Sequence, residues 1–276
     1  MTFKYQRSYR GKLQAVLLDW AGTTMDFGCV APAVVFVEVF KRRGVPITID
    51  EARAPMGAHK RVHIQRITQL DSVRQRWIEK RGKAPGEADI DGMFEEFVPL
   101  QLKCLSDYSA LIPGTLEAIS ALRERGYKIG STTGYTTEMM KINLKDAARQ
   151  GYKPDSTVCA SEVPAGRPYP HMCLQNVINL GVSTVEACVK IDDTRPGVEE
   201  GLSAGMWTIG LAVSGNEVGL SLADWDALPQ AEQERRRQAA YTRMYQSGAH
   251  YVVDSIADIQ PCLDDIEARL ARGERP

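Results

Sequence analysis

Residues 15–24 read AVLLDWAGTT. Four apolar residues run directly into one carboxylate, Asp19, and then into a Gly/Thr-rich turn. An unbroken apolar run of this length reads as a strand buried on both faces, as in a parallel sheet. Ligands of open α/β sheets bind beyond the carboxyl ends of such strands. Asp19 is therefore expected at the mouth of a sheet, with the amides of Trp20 to Thr24 free to face an anion. Taken alone, Asp19 reads equally well as a turn-capping aspartate, which is common at strand ends.

After a polar lead-in over 1–14 and this first strand, residues 30–43 (VAPAVVFVEVFKRR) have helical apolar spacing and are stopped by Gly44 and Pro46. The sequence predicts a short helix over 49–53, broken at Pro55, then helix from 59 to about 106, interrupted near 82–86. No strand pattern falls between Asp26 and Ser106. After Pro113-Gly114 strands and helices alternate: helices over 116–125, 137–150, 170–179 and 197–204, strands over 127–131, 157–160, within 185–192 and over 207–213. This rhythm predicts an α/β fold with a doubly wound, Rossmann-like parallel sheet. The helical block behind the first strand predicts an inserted all-helical cap. The core domain is then 1–27 and 107–276, and the cap domain 28–106. Residues 223–247 are charged and largely helical, and read as a solvated helix face. An edge strand over 251–253 and a closing helix over 256–271 complete the chain.

Composition narrows the function. The 276 residues are 43% hydrophobic, enough for a large core. With 34 basic and 35 acidic residues the net charge is −1, so nothing favours a nucleic-acid or membrane-surface partner. The six cysteines show no C-x-x-C spacing, which argues against a zinc cluster and a disulfide framework and suits a reducing compartment. The opening MTFKYQRSYRGK is basic but lacks the apolar centre of a signal peptide. No apolar run reaches the roughly 18 residues of a membrane span. A cytoplasmic protein acting on a small molecule is expected.

Four strand ends carry polar residues that can converge: Asp19, the turn Ser131-Thr132-Thr133-Gly134, Arg167, and the turn Asp192-Asp193-Thr194. Singly, Thr133 and Asp193 read as helix caps and Arg167 as a surface ion pair. Together, in chain order and placement, they resemble the four motifs of the haloacid dehalogenase (HAD) superfamily: a nucleophilic Asp, a Ser/Thr, a Lys/Arg and an acidic Mg²⁺ site. The resemblance covers essentially the whole chain and implies Mg²⁺ held by Asp19, Asp193 and the backbone carbonyl of Ala21. The chemistry suits these roles. A carboxylate attacking phosphorus is repelled by the phosphoryl oxygens, and a divalent cation offsets that repulsion while Arg167 and Thr133 bind the remaining charge. Mg²⁺ needs few protein ligands because it keeps several waters. Two positions depart from the common pattern of the superfamily's phosphatases. Ala21 stands where many carry a second Asp that protonates a leaving alkoxide. Gly197 stands where an acidic residue is frequent, leaving Asp192, Glu199 and Glu200 as alternatives for assisting the metal.

Residues 54–65, APMGAHKRVHIQ, hold a turn at Pro55-Met56-Gly57 and then a helix that sets Lys60 and His63 on one face. An isolated pair of this kind reads as a solvated lysine and a surface histidine. His59 and His63, four apart, also have a zinc-like spacing, without an HExxH motif or a nearby cysteine. Taken with DWAGTT and Cys29, STTGYT, GRPYP and DDT-x-PG, the PMGxxK stretch resembles the phosphonoacetaldehyde hydrolase (phosphonatase) family. That resemblance implies a Schiff base between Lys60 and the substrate aldehyde, an aspartyl phosphate on Asp19, and a pocket lined beside Lys60 by Cys29 and Met56. His63 and Tyr135 are candidate proton carriers and substrate contacts. It also implies homodimers through cap helices, for which the apolar helix over 30–40 is the candidate. Lys60 must be neutral to attack, so desolvation or cationic neighbours (His63, Arg61 and Arg167 are candidates) must lower its pKa. Asp19 on one domain and Lys60 on the other require closure, with hinges near 26–30 and 106–113. The alternatives are a phosphatase or phosphomutase on P–O esters, which Ala21 disfavours, a haloacid dehalogenase, which has no need of the Asp193 metal site, and an inactive phosphate-binding scaffold.

Overall fold

A computed structural model describes residues 8–276; residues 1–7, the start of the expected lead-in and core domain, lie outside it. Six strands form one parallel sheet: β1 (Ala15–Leu18), β2 (Lys128–Thr133), β3 (Ser156–Cys159), β4 (Cys188–Asp192), β5 (Trp207–Leu211) and β6 (Tyr251–Val253). Their order is β3-β2-β1-β4-β5-β6. The chain winds outward from β1 to β3, then returns to the other side of β1 for β4 to β6. The reversal therefore falls between β1 and β4, where such sheets open a ligand crevice. The expected edge strand is β6, at one margin.

Between β1 and β2 the chain builds α1 (Val30–Arg42), α2 (Ile49–Arg53), α3 (Lys60–Gln69), α4 (Asp71–Arg81), α5 (Glu87–Cys104) and α6 (Thr115–Glu124). The later helices are α7 (Thr137–Arg149), α8 (His171–Leu180), α9 (Arg195–Ser203), α10 (Leu222–Asp226), α11 (Gln230–Gln246) and α12 (Gln260–Arg272). Every residue of β1 is buried. Its alternating side chains serve two cores: Val16 and Leu18 pack with residues of α6, α7 and α12, while Ala15 and Leu17 pack with Cys173 and Leu180 of α8. This double burial is why β1 reads as a continuous apolar run.

Helices α1 to α5 form the expected helical layer. Phe36 of α1 stacks on Phe97 of α5 at 4.4 Å between ring centroids, and Phe40 meets Trp77 of α4 edge-on at 6.4 Å. The apolar interior of the layer is continuous with the Val16/Leu18 side of the sheet. The two segments crossing between sheet and layer lie side by side. Met25 bridges to Leu111, Asp26 donates its N–H to the Ala110 carbonyl (3.1 Å), and Ile112 donates to that of Thr24 (3.0 Å).

Three local expectations change. The helix over 59–106 breaks at Leu70 as well as at 82–86, because Leu70 turns extended (φ −61°, ψ 129°) to pack its side chain on the core, with no Gly or Pro to announce it. β2 runs on to Thr133, since Thr132 and Thr133 pair with Val158 and Cys159 of β3; the turn begins at Gly134. The charged stretch over 223–247 is two helices separated at Pro229. One face of α11 carries the ladder of Glu232 with Arg235 and Arg236, and the other buries Ala240 and Met244 beside β5 and β6. Among the described residues, no helix is long and apolar enough to cross a membrane.

Candidate active site

Strand register assembles the site. Leu18 is level with Ser131 of β2 and Ile191 of β4, so one residue further Asp19 lies between Thr132 and Asp192. Arg167, 4% exposed, reaches this row from the loop before α8. Its Nη2 bonds Asp19 Oδ1 at 2.6 Å, Asp192 Oδ2 at 3.1 Å and Thr132 Oγ1 at 2.9 Å, and its Nε bonds Glu200 Oε2 at 3.0 Å. Lys190 Nζ bonds Asp192 Oδ2 at 2.7 Å and lies 3.8 Å from Glu200 Oε2. The plainer readings fail here. Arg167 is buried, α7 is capped by Thr136, and α9 is capped by Thr194.

The electrostatics of this cluster suit a bound cation. Asp19, Asp192, Asp193 and Glu200 are buried against only two cations, Arg167 and Lys190, leaving two negative charges in excess. Burial, and then Asp19 and Asp192, push the Asp193 carboxyl well above its ordinary pKa. Burial likewise raises Asp19, against the pull of Arg167, whereas Arg167 and Lys190 hold Asp192 low in spite of burial. A divalent ion would balance the excess, and among the described residues Asp19, Asp192 and Asp193 are the one group of carboxylates close enough to share it. Asp192 is already taken by Lys190, Thr194 and Arg167. Asp193 accepts only from Thr23 Oγ1 (3.1 Å) and the Asn216 N–H (2.8 Å), so lone pairs remain on both oxygens. The turn after β1 offers a third donor: Met25 donates to the Trp20 carbonyl and Gly22 to that of Met25, which leaves the Ala21 carbonyl out of the bridge. The donor set thus fits a hard cation bound by oxygens.

The helical layer brings Lys60 to the same place. Gly57, at φ 92°, turns the chain so closely over α9 that a β-carbon there would collide with Thr194. Lys60 then opens α3. The residue is 4% exposed, and its amine lies 4.6 Å from the Tyr135 ring centroid and 5.9 Å from that of Phe36 and forms no ion pair among the described residues. Burial chiefly, with Arg167 assisting, holds its pKa below the ordinary lysine value. Asp19, Ala21, Cys29, Met56, Lys60, Thr133, Tyr135 and Arg167 all line one small cavity.

A family model described as haloacid dehalogenase-like hydrolase matches residues 13–205. A phosphonoacetaldehyde hydrolase of Hahella chejuensis is 49% identical over 276 residues, spanning 100% of this chain and 94% of that protein. The chain belongs to the phosphonoacetaldehyde hydrolase family of HAD hydrolases. Another relative of that name, from Paraburkholderia phytofirmans, is 50% identical over 96% of this chain and 99% of its own. The crystal structure of a phosphonoacetaldehyde hydrolase-like protein from Oleispira antarctica superposes with a TM-score of 0.97 at 46% identity, covering all of both chains.

Membership of the phosphonoacetaldehyde hydrolase family sharpens what the geometry adds. Of the sequence candidates, Asp193 stands beside Asp19 but off the cavity lining, and His63 is off it as well. His63 stacks on Phe36 at 3.8 Å, behind Lys60, with Nε2 2.8 Å from the Ala52 carbonyl. Burial, then Lys60, pushes its pKa well down, so it is neutral and supplies no charge to Lys60. Arg61 turns away to Glu87 and Asp91 at the surface, leaving Arg167 as the cationic neighbour. Of the acids left open, Glu199 pairs with Arg195 and Glu200 backs Arg167. Gly197 is required where the pattern suggested an acid, since a β-carbon there would run into the Asp192 carboxylate. The sequence named Thr132 only as part of its turn and did not single out Lys190, whose sole hint was a polar side chain within a buried strand.

Proposed function

We propose that this chain hydrolyses the carbon–phosphorus bond of phosphonoacetaldehyde, yielding acetaldehyde and phosphate. The observation that carries the reading is a buried amine, without a counter-ion among the described residues, on the wall of a cavity shared with a carboxylate. Cleavage of a C–P bond expels an electron pair that carbon holds poorly. Lys60 adds to the aldehyde and loses water, and the resulting protonated imine accepts that pair as an enamine. Asp19 attacks phosphorus and becomes an aspartyl phosphate, while Arg167 and Thr133 bind phosphonate oxygens. The enamine takes a proton on carbon. Water then cleaves the imine and the acyl phosphate. Mg²⁺ held by Asp19, Asp193 and the Ala21 carbonyl would supply the charge that offsets repulsion between the carboxylate and the phosphonate. Cys29, Met56 and Tyr135 keep the amine dry, and His63 positions α3 behind it. Ala21 offers no acid for an alkoxide leaving group, which argues against phosphate esters as substrates.

In this reading residues 1–27 and 107–276 are the core domain and 28–106 a cap that closes over it. The protein works in the cytoplasm as a homodimer through the cap helices; Val34 is the exposed apolar residue of α1, and light scattering on Val34→Glu should report a monomer. The decisive test is mass spectrometry after borohydride reduction with phosphonoacetaldehyde. The wild type should gain one adduct on Lys60, and Lys60→Arg should lose both adduct and turnover. Full activity in Lys60→Arg refutes the imine.

A further inference from the structure

Arg53, the last residue of α2, takes no part in the chemistry above, yet it is buried where α2, the 28–29 segment and the 214–220 loop meet. It is 9% exposed and has no carboxylate within ion-pair distance among the described residues. Its Nη1 donates to the carbonyls of Gly28 (2.7 Å) and Cys29 (3.4 Å) and to Asn216 Oδ1 (3.3 Å). A guanidinium this deep, met only by carbonyl dipoles, is held by geometry rather than by an opposite charge. Asn216 returns its Nδ2 to the Arg53 carbonyl at 3.5 Å, and its backbone N–H donates to Asp193 Oδ2 at 2.8 Å. One chain of hydrogen bonds thus joins the helical layer to a carboxylate of the proposed metal site.

The surrounding backbone is shaped to this side chain. A β-carbon on Gly219, at φ 67°, would fall 2.8 Å from Arg53 Cζ. A β-carbon on Gly28 would meet the Leu220 carbonyl. The Arg53 carbonyl also accepts from Met56 N–H at 2.9 Å, at the start of the turn that ends in Lys60. Ser214, in the same loop, takes the Gly28 N–H on its carbonyl (2.7 Å) and donates its hydroxyl to the Gly22 carbonyl (2.9 Å).

We infer that Arg53 is a positioning residue that latches the helical layer to the 214–220 loop, so that the seat of Lys60 and the orientation of Asp193 are set together. The inference rests on the proposed reading in which Lys60 and Asp19 act on one substrate. Arg53→Lys keeps the charge but loses the fork; Asn216→Ala removes the Oδ1 acceptor and keeps the N–H that holds Asp193. The full-length variants are compared with wild type by the rate at which an amine-directed reagent modifies Lys60 without substrate or metal, by amide exchange over 24–29 and 214–220, and by the Mg²⁺ concentration for half-maximal activity. Each single variant should raise Lys60 modification and exchange in both segments by about tenfold, as expected for one lost charged hydrogen bond, and the double variant should add little. The Mg²⁺ requirement should rise in parallel. Additive effects, or unmoved modification and exchange, overturn the latch. If Arg53→Lys does not fold, Asn216→Ala decides by the same measurements. Borohydride trapping on the wild type separates the two readings: no adduct refutes the role of Lys60, whereas an adduct with unmoved exchange refutes the latch alone.

Discussion

Gly134→Ala adds one methyl group where the sheet and the helical layer come close. The new carbon would lie 2.8 Å from the Ala58 carbonyl oxygen, 3.2 Å from that of Gly57 and 3.3 Å from the Ala58 carbonyl carbon. All three are backbone atoms, so no rotamer change relieves the contact. Gly134 does not sit at positive φ, so alanine brings no backbone strain and the perturbation is purely steric. Relief requires the 55–58 turn, and with it Lys60 at the head of α3, to withdraw by a few tenths of an ångström. Overpacking of this kind costs about 1–3 kcal/mol. If the cost falls on the closed arrangement alone, kcat/KM for phosphonoacetaldehyde drops by about 5- to 150-fold. The assay pairs kcat/KM with urea unfolding of the same preparation, and unfolding should change far less than catalysis. Gly86→Ala, whose new carbon meets only Asp89 Oδ2 at 3.9 Å, is the control in the same layer and should be near wild type. Gly134→Ala activity within about twofold of wild type refutes the argument that this contact seats Lys60.

The remaining predictions concern charge. Because burial above all lowers the Lys60 pKa, the amine charges only at lower pH than an ordinary lysine; log kcat/KM should fall with slope one on the acid side, breaking below about 10.4, and borohydride trapping should break at the same pH. A break at the ordinary lysine value would count against desolvation. Burial raises Asp26 to about 6, against hydrogen bonds from the Ala31 and Val30 amides that it caps. The folded chain then holds that proton more tightly than the unfolded one, so the stability it contributes is present below the ordinary 3.8 and is lost as pH rises through 6. Asp26→Asn should therefore gain about 2–3 kcal/mol relative to wild type between pH ~4 and ~6, read from urea unfolding, and parallel curves would contradict it. Glu200→Gln removes one of the excess negative charges from a dry network in which burial already raises the Glu200 pKa; in metal-free urea unfolding it should be at least as stable as wild type, while the Mg²⁺ needed for half-maximal activity rises. A loss of about 3 kcal/mol would show instead that Arg167 and Lys190 depend on that charge.

The parts legible in the sequence share a physical property: they are local. The apolar run over 15–18, the stop at Gly44 and the break at Pro55 each report which way a few neighbouring residues face or which backbone they permit. Strand–helix alternation then implied a parallel sheet, and parallel sheets place their sites at strand ends; resemblance to the HAD motifs singled out Asp19, Thr133, Arg167 and Asp193 among the polar residues there. The break at Leu70 left no trace, because an ordinary leucine turned extended only to reach a core built by other segments.

Tertiary structure decided everything that depends on meeting across the chain. Arg167 touches Asp19 over a separation of 148 residues, and Thr132 reaches Glu200 over 68. Those contacts follow from sheet register and from loops folding back over it, which no periodicity encodes. The same holds for the depth that strips water from Lys60, for His63 standing behind the cavity, and for Arg53 joining α2 to the Asp193 loop. A sequence specifies which side chains are able to do chemistry; burial and register, set by the whole chain at once, determine which of them meet and in what state of charge.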